Sequence, residues 1–192
     1  MCTCRPDACE IEFEPVLFAR YDLEVEFARR RRLVRELMAK RWARLRVNSD
    51  AEIVRELVLV CAIEPLQLNR QWERLVVEPC GQIEGTGEPC FYFRSFIHFS
   101  GDAELWDLSA GELDCPEAEG TVAYYEYVSG VIETTEERAH QVFARRIDAV
   151  TSHMAAQKQR ILAFNRSLRP FAARELADRR RRLDLSRWWD LT

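Results

Sequence analysis

The sequence contains little glycine and proline, with seven of each in 192 residues. Because these residues break helices and form turns, their scarcity favours long regular elements and argues against wholesale disorder. Long hydrophobic runs are also missing: the longest, residues 57–63, has seven residues, whereas a bilayer-spanning helix needs roughly 20. The polar N-terminus lacks the apolar stretch of a secretory signal. We therefore predict a cytoplasmic protein with no membrane contact.

Catalytic signatures are lacking as well. The three histidines form no His-Glu-x-x-His motif, and the turn at residues 85–87 lacks the Lys and Ser or Thr of a phosphate-binding loop. His98 lies close in sequence to Asp102, and the thiols Cys80 and Cys90 lie further away along the chain. A small enzyme whose site contains these residues is one alternative. We assign no catalytic residue and expect neither an enzymatic activity nor a cofactor.

The seven cysteines are an odd number, so at least one stays a free thiol unless two chains pair. Cys2, Cys4 and Cys9 cluster at the start, but no fourth Cys or His follows at a familiar zinc spacing. A zinc site completed by a distant ligand is an alternative, and we predict no bound metal. Cys61, inside the apolar run, is predicted to be a small core residue.

The net charge of −4 hides a strong segregation along the chain. Residues 29–46 hold nine Arg or Lys and one acid, residues 50–137 hold 19 acids and four arginines, and residues 138–192 hold 13 basic side chains and five acids. In one interpretation the long basic side chains simply solvate helix faces. In the other they bind an anionic partner such as nucleic acid, although the acidic total charge opposes phosphate binding.

The candidate binding residues are the arginines of the two basic segments, residues 29–46 and 179–187, and two tryptophans near the end of the sequence. Adjacent tryptophans must dock on the chain itself or on a partner, because so much apolar surface is unfavourable in water. The residues are Arg29, Arg30, Arg31, Arg32, Arg35, Arg180, Arg181, Arg182, Trp188 and Trp189.

The first 74 residues are predicted to be mainly helical. A short edge strand is expected over residues 11–18, followed by a helix over residues 21–46 with an apolar stripe. Ser49 and Glu52 form a capping box that opens a second helix ending near Pro65, and a third short helix covers residues 66–74. The stripe of the first helix contains Leu23, Phe27, Val34, Met38 and Leu45.

Residues 75–130 are predicted to form a small antiparallel β-meander. Residues 75–77 and 91–100 are strands separated by a turn-rich loop at residues 79–89, and Gly101 with Asp102 forms a hairpin turn that leads into a return strand over residues 103–108. A further strand is expected at residues 121–128. Alternation along the strongest strand puts Phe91, Phe93, Ile97 and Phe99 on one face, and Tyr92, Arg94, Phe96 and His98 on the other.

The last third is predicted to be a long coiled-coil-like helix. Thr134 and Glu137 form a capping box, and a helix over residues 134–168 would be roughly 50 Å long, which exceeds the diameter of a small domain. Pro170 predicts a bend or restart before a final helix to about residue 184, and Gln157 would fix the register. The seam consists of Ala139, Phe143, Ile147, Val150, Met154, Gln157, Ile161, Phe164 and Leu168. Together these elements predict one α+β domain over residues 1–192, in which the meander packs against long helices.

A stretch within residues 90–184 resembles the accessory region that precedes restriction-endonuclease-like or TIR effector domains in bacterial multidomain proteins. The resemblance implies a non-catalytic module that acts beside a partner. Because the sequence ends at Thr192, we expect no effector domain and carry over no effector activity. The matching segments are residues 96–102 followed by Leu105 and Trp106, then Ile161-Leu162-Ala163-Phe164-Asn165-Arg166-Ser167-Leu168, and Arg179-Arg180-Arg181-Arg182-Leu183.

These patterns lead to a hypothesis of a non-enzymatic accessory protein that associates with itself or docks to a larger bacterial partner. The motive is the heptad seam, which is expected to be too long for the rest of the chain to cover. The alternatives are a nucleic-acid-binding protein that uses residues 29–46 and 179–187, and the small enzyme near His98.

Overall fold

A computed structural model describes residues 17–40, 48–83, 85–111 and 118–189, with side chains up to residue 183. This part of the chain is mixed α and β, which confirms the predicted class. The chain divides into two compact units. Unit 1 comprises Met1–Asp22 and Pro65–Lys158, and unit 2 comprises Leu23–Glu64 and Gln159–Thr192. In the portions described, no helix is both long and apolar enough to cross a membrane.

Unit 1 is built on an antiparallel sheet of four strands, with a separate parallel pair of two-residue strands. The strands in chain order are β1 (Tyr21–Asp22), β2 (Gln67–Gln82), β3 (Pro89–Ser100), β4 (Leu108–Ser109), β5 (Thr121–Ala123) and β6 (Glu126–Glu133). In the large sheet the order is β2-β3-β6-β5, while β1 pairs with β4. The chain therefore leaves the sheet after β3 and returns to it at β5. The strand that pairs with β3 is β6, which lies between β3 and β5.

Strand β3 alternates between core and surface as its sequence predicts. Phe93, Ile97 and Phe99 are buried, whereas His98 on the opposite face is exposed. The buried face continues into an aromatic cluster, in which Trp106 lies 5.3 Å from Phe99 between ring centroids. The core of unit 1 thus lies on one face of the sheet.

The predicted helix over residues 66–74 is wrong, because these residues begin β2. Gln67, Leu68 and Asn69 pair with β3, and pairing resumes at Arg74 after a bulge. The alternating pattern of a strand is obscured here because most of β2 is exposed on both faces. Strand β2 also continues past Pro79 to Gln82, so the loop that follows is shorter than predicted.

Two further strand predictions are wrong. Residues Ala103–Asp107 form a 3₁₀ helix in place of a return strand, since adjacent Leu105 and Trp106 are both buried and cannot alternate across a sheet. Residues 121–128 are not one strand, because Tyr124 and Tyr125 turn the chain between β5 and β6. Gly101 does adopt the predicted positive φ, and an added Cβ would lie 2.5 Å from the Pro65 carbonyl oxygen.

Unit 2 consists of three helical segments: α1 (Leu23–Lys40), α2 (Asp50–Cys61) and the part of α3 (Glu136–Trp189) that begins at residue 159. Helix α1 buries four of the predicted stripe residues, and the fifth lies outside the described residues. The Ser49 and Glu52 capping box is confirmed. Helix α2 ends at Cys61, earlier than predicted, where the Asn165 side chain exchanges hydrogen bonds of 3.0 and 2.9 Å with the Ile63 backbone.

Helix α3 differs from its prediction at two points. The Thr135 hydroxyl accepts a hydrogen bond of 3.3 Å from the Arg138 backbone, so the cap lies one residue after Thr134. The helix also continues past Pro170 with no restart. Leu168 and Phe171 are buried on either side of the proline, and this packing offsets the missing backbone hydrogen bond.

The nine predicted seam residues of α3 are all buried: Ala139, Phe143, Ile147, Val150, Met154, Gln157, Ile161, Phe164 and Leu168. Since this burial occurs in a single chain, the expectation that the seam is too long for the chain to cover is wrong. The polar member, Gln157, donates a hydrogen bond of 2.8 Å to the Leu105 carbonyl and a second to that of Leu108, and so anchors the 3₁₀ segment. The predicted strand at residues 11–18 lies mostly outside the described residues.

Candidate functional site

The fold gathers the two basic segments, which are far apart in sequence, into unit 2. Counted over the sequence, unit 2 holds 19 Lys and Arg against 11 Asp and Glu, a net charge of +8. Unit 1 holds nine Lys and Arg against 21 Asp and Glu, a net charge of −12. The charge segregation along the chain is therefore a segregation between two compact units.

Helices α1 and α3 form a groove in unit 2 that arginines line along its whole length. We call this the arginine groove and define it by Arg31, Arg35, Arg160, Arg174 and Arg182. Two shallow cavities of about 300 and 320 Å³ follow one another between the same two helices. The helices run parallel here, because residues of α1 meet residues of α3 in the same order.

Phenylalanine rings form the floor of the arginine groove. The Arg31 guanidinium carbon lies 5.5 Å from the centroid of the Phe164 ring, which is buried. Arg35 and Arg174 share the Phe171 ring at 5.3 and 5.9 Å. Cation–π contacts of this kind orient the guanidinium plane and leave its N–H edge available to an anion. The rings therefore orient three of the five groove arginines, Arg31, Arg35 and Arg174.

Two of the groove arginines form ion pairs with acidic side chains. Arg35 donates to Glu175 at 2.9 Å, and Arg160 donates to Glu24 at 3.0 Å. The hydrogen bond and charge of Glu175 raise the pKa of Arg35. Exposed pairs of this kind contribute little to stability because water screens them. Their effect is to reduce, without cancelling, the positive charge of the groove.

Several arginines of unit 2 have no acid to neutralise them. Among the described residues, six make no ion pair and no other charge contact with an acid, and we call them the open arginines. Arg55 makes no ion pair either, but its charge acts on Glu52, so it is not counted with them. Three of the open arginines belong to the arginine groove, and all but Arg31 are largely exposed. The open arginines are Arg31, Arg32, Arg166, Arg169, Arg174 and Arg182.

The structure divides the sequence-predicted arginines into available and occupied ones. Arg29 and Arg30 clamp Glu26 at 2.6 and 2.5 Å, which occupies both guanidinium groups. Burial would raise the pKa of Glu26, but the hydrogen bonds and charges of the two arginines outweigh it and lower the pKa. These two arginines therefore serve the packing of α1 and not the groove.

The C-terminal candidates are divided in the same way. Arg180 pairs with Asp50 and Arg181 with Asp178, whereas Arg182 lines the groove. The backbone of Trp188 and Trp189 lies in α3, and their side chains lie outside the described residues. The arginines at residues 41–46 lie wholly outside the described residues.

Sequence reasoning missed the groove arginines that are dispersed along α3. Arg160 and Arg174 belong to no run of consecutive basic residues, so counting charges in runs does not find them. Placing residues 160, 164, 167, 171, 174, 178 and 182 on one helical face would have shown the stripe. Its partner residues on α1, however, cannot be identified without the fold.

The structure places His98 and the Cys90 thiol of the predicted site at opposite ends of one strand. The His98 Nε2 lies 3.5 Å from a Glu126 oxygen, at one end of β3. Cys90 lies at the other end of the same strand, eight residues away, which corresponds to about 27 Å in an extended chain. Within the described ranges no three His, Cys, Asp or Glu side chains are placed to hold a metal. The Cys2, Cys4 and Cys9 cluster lies outside those ranges.

No protein-family model matches the chain, and the comparisons with curated proteins and with solved structures likewise give no match. The resemblance to effector-associated regions therefore stays a prediction. The function has to be argued from the geometry of the two units.

Proposed function

We propose that this protein binds nucleic acid through the arginine groove of unit 2, as a binding module with no catalytic step of its own. The observation that carries the proposal is the set of open arginines in a compact unit of net charge +8. Phosphate contacts supply most of the sequence-independent affinity of nucleic-acid-binding proteins.

The arrangement of the groove suits a phosphate backbone more than a single small anion. Its arginines are distributed over several turns of two parallel helices, and the cavities between them are open and shallow. A repeating polyanion can contact such a row at several points, and guanidinium groups bind phosphate oxygens in pairs. We therefore expect contacts to the backbone, with little reading of base sequence.

The basic side chains of unit 1 support phosphate binding less than those of unit 2. Five of its nine basic side chains are in ion pairs: Arg20, Arg70, Arg74, Arg94 and Arg146. Unit 1 is also strongly acidic, so it repels phosphate. This contrast supplies a control inside the same molecule.

The affinity for a labelled 20-base-pair DNA duplex, measured by fluorescence anisotropy at a fixed salt concentration near 0.1 M, tests the proposal. The variant R31Q/R174Q/R182Q should weaken binding by roughly a hundredfold or more, since it removes two or three phosphate contacts and each is worth nearly a factor of ten at this salt. The matched variant R138Q/R145Q/K158Q removes the same charge from unit 1 and should change affinity less than threefold. Equal losses in both variants, or no binding by the native protein, would exclude the groove.

A second candidate function is protein docking, and exposed aromatic side chains of unit 1 support it. Tyr124, Tyr125 and Trp72 of unit 1 have exposed fractions of 96%, 68% and 64%. Large aromatic side chains with such exposure are typical of protein contact sites. Light scattering at micromolar concentration should then give a molecular mass above that of the monomer. The variant Y124N/Y125G should give a lower mass than the native protein. A monomer at all concentrations would remove self-association.

A further inference from the structure

Two thiols of unit 1 lie next to each other across the β2–β3 hairpin. The Cys80 and Cys90 sulfur atoms are 3.7 Å apart, which is van der Waals contact. Cys90 is buried, with 1% of its surface exposed, and Cys80 is half-buried. The two residues are ten apart in sequence, so the contact depends on the hairpin.

A bulge in β2 produces this contact. Pro79 pairs with Phe91 and Gly81 pairs with Cys90, so Cys80 is the extra residue between two successive pairs. Bulges turn a side chain away from the regular alternation of a strand. Here the bulge turns the Cys80 sulfur towards Cys90.

The loop that joins the strands holds the hairpin closed. The Ile83 backbone N–H donates to the Glu88 carbonyl at 2.8 Å, and the Gly87 N–H donates to the Ile83 carbonyl at 3.0 Å. In a bulge two residues of one strand face a single residue of its neighbour, so Cys80 and Gly81 both face Cys90. To form a disulfide the two sulfurs have to move from 3.7 Å to about 2.05 Å apart.

The third described cysteine does not compete for either thiol. Cys61 is fully buried in unit 2, and burial raises the pKa of its thiol, which disfavours the reactive thiolate.

We propose that Cys80 and Cys90 are a redox site that small-molecule disulfides, such as oxidised glutathione, convert into an intramolecular disulfide. The half-buried Cys80 thiolate attacks the glutathione disulfide, forms a mixed disulfide and releases one glutathione thiolate. The Cys90 thiolate then attacks the Cys80 sulfur, displaces the second glutathione and closes the bond. The two cysteine protons end on the two glutathione thiols, so glutathione is reduced and the cysteine pair is oxidised.

Trypsin places both thiols in one peptide, which makes the test direct. Residues 75–94 contain no internal Lys or Arg and no cysteine other than Cys80 and Cys90. The native full-length protein is treated with oxidised glutathione, alkylated and digested with trypsin. The mass of the peptide of residues 75–94 is then measured by mass spectrometry. We expect no alkyl group and a loss of two hydrogens, against two alkyl groups in the untreated protein.

The variants C90S and C80S separate the two roles. C90S should retain one glutathione on Cys80, because no thiol is left to displace it. C80S should retain little or none, because Cys90 is buried. Two alkyl groups after treatment, or a stable glutathione adduct on the native peptide, would overturn the proposal.

Discussion

The two units of this chain manage charge in opposite ways. Unit 1 is acidic, and most of its cations lie next to a carboxylate. Unit 2 is basic, uses buried Glu26 to hold two arginines, and leaves six arginines without an acid among the described residues. An excess of one charge opposes compaction, so its presence in a folded unit indicates a use for it. This difference is the reason why we propose unit 2, and not unit 1, as the binding surface.

Removing the acid that unit 2 depends on should have the largest effect. E26A removes the carboxylate that accepts from both Arg29 and Arg30, in a unit already rich in positive charge, and the Arg30 side chain is only 13% exposed. We expect the free energy of unfolding to fall by about 3 kcal/mol, because removing one partner of a buried ion pair is strongly unfavourable. Urea denaturation measures this, and E36A, which removes an exposed acid of the same helix, should change it by less than about 0.5 kcal/mol.

The same carboxylate predicts a pH dependence. The folded pKa of Glu26 lies below its ordinary value of 4.5. Its contribution to stability is therefore fully present above pH 4.5 and is lost as the pH falls through the folded pKa. The difference between native protein and E26A should shrink on acidification below that pH. A difference that is constant from pH 7 to pH 3 would contradict the ion-pair account.

The second prediction concerns the helix that both units share. Pro170 is exposed within α3 and cannot donate its backbone hydrogen bond. P170A should stabilise the protein by about 2 kcal/mol, since proline is about 3 kcal/mol worse than alanine in a helix interior. R169A, at the neighbouring exposed position, is the control and should have little effect. A destabilised P170A would show that the packing of unit 2 requires a proline-induced distortion.

The smallest effect is expected at the β5–β6 turn of unit 1. Tyr124 and Tyr125 have φ values of 49° and 64°, which bulky residues adopt only with strain. Two-residue turns with positive φ at both positions favour Asn-Gly, so Y124N/Y125G should stabilise the protein by about 1 kcal/mol. Y124F/Y125F keeps the strain and should be neutral. The Tyr125 ring lies 5.9 Å from the Phe99 ring between centroids. A loss of stability in Y124N/Y125G would show that this contact outweighs the strain.

Helix α1, helix α2 and the seam of α3 follow from the sequence because one face of each carries the core residues. Leu23, Phe27 and Val34 repeat at helical spacing, and they are buried where the pattern places them. Strand β2 does not follow, since an exposed edge strand with a bulge between Asn69 and Arg74 lacks two-residue alternation. The 3₁₀ helix at Leu105 and Trp106 is fixed by tertiary packing and has no local signal.

The candidate site was predictable only in part, for a related reason. The runs of arginine at residues 29–32 and 179–182 can be recognised in the sequence. The sequence does not show, however, which arginines of a run form ion pairs with acids. Glu26 and Glu175 decide that, and each acts through the fold or the helix repeat. The contact between Cys80 and Cys90 depends on a bulge, which one sequence does not specify.

The salt dependence of nucleic-acid binding tests the central claim most directly. For the native protein, the logarithm of the association constant should fall linearly with the logarithm of salt concentration, with a slope of about −0.9 for each phosphate contacted. R31Q/R174Q/R182Q should make the slope less negative by roughly 2 to 3, and R138Q/R145Q/K158Q should leave it unchanged. Identical slopes for all three proteins would contradict the assignment of phosphate binding to unit 2.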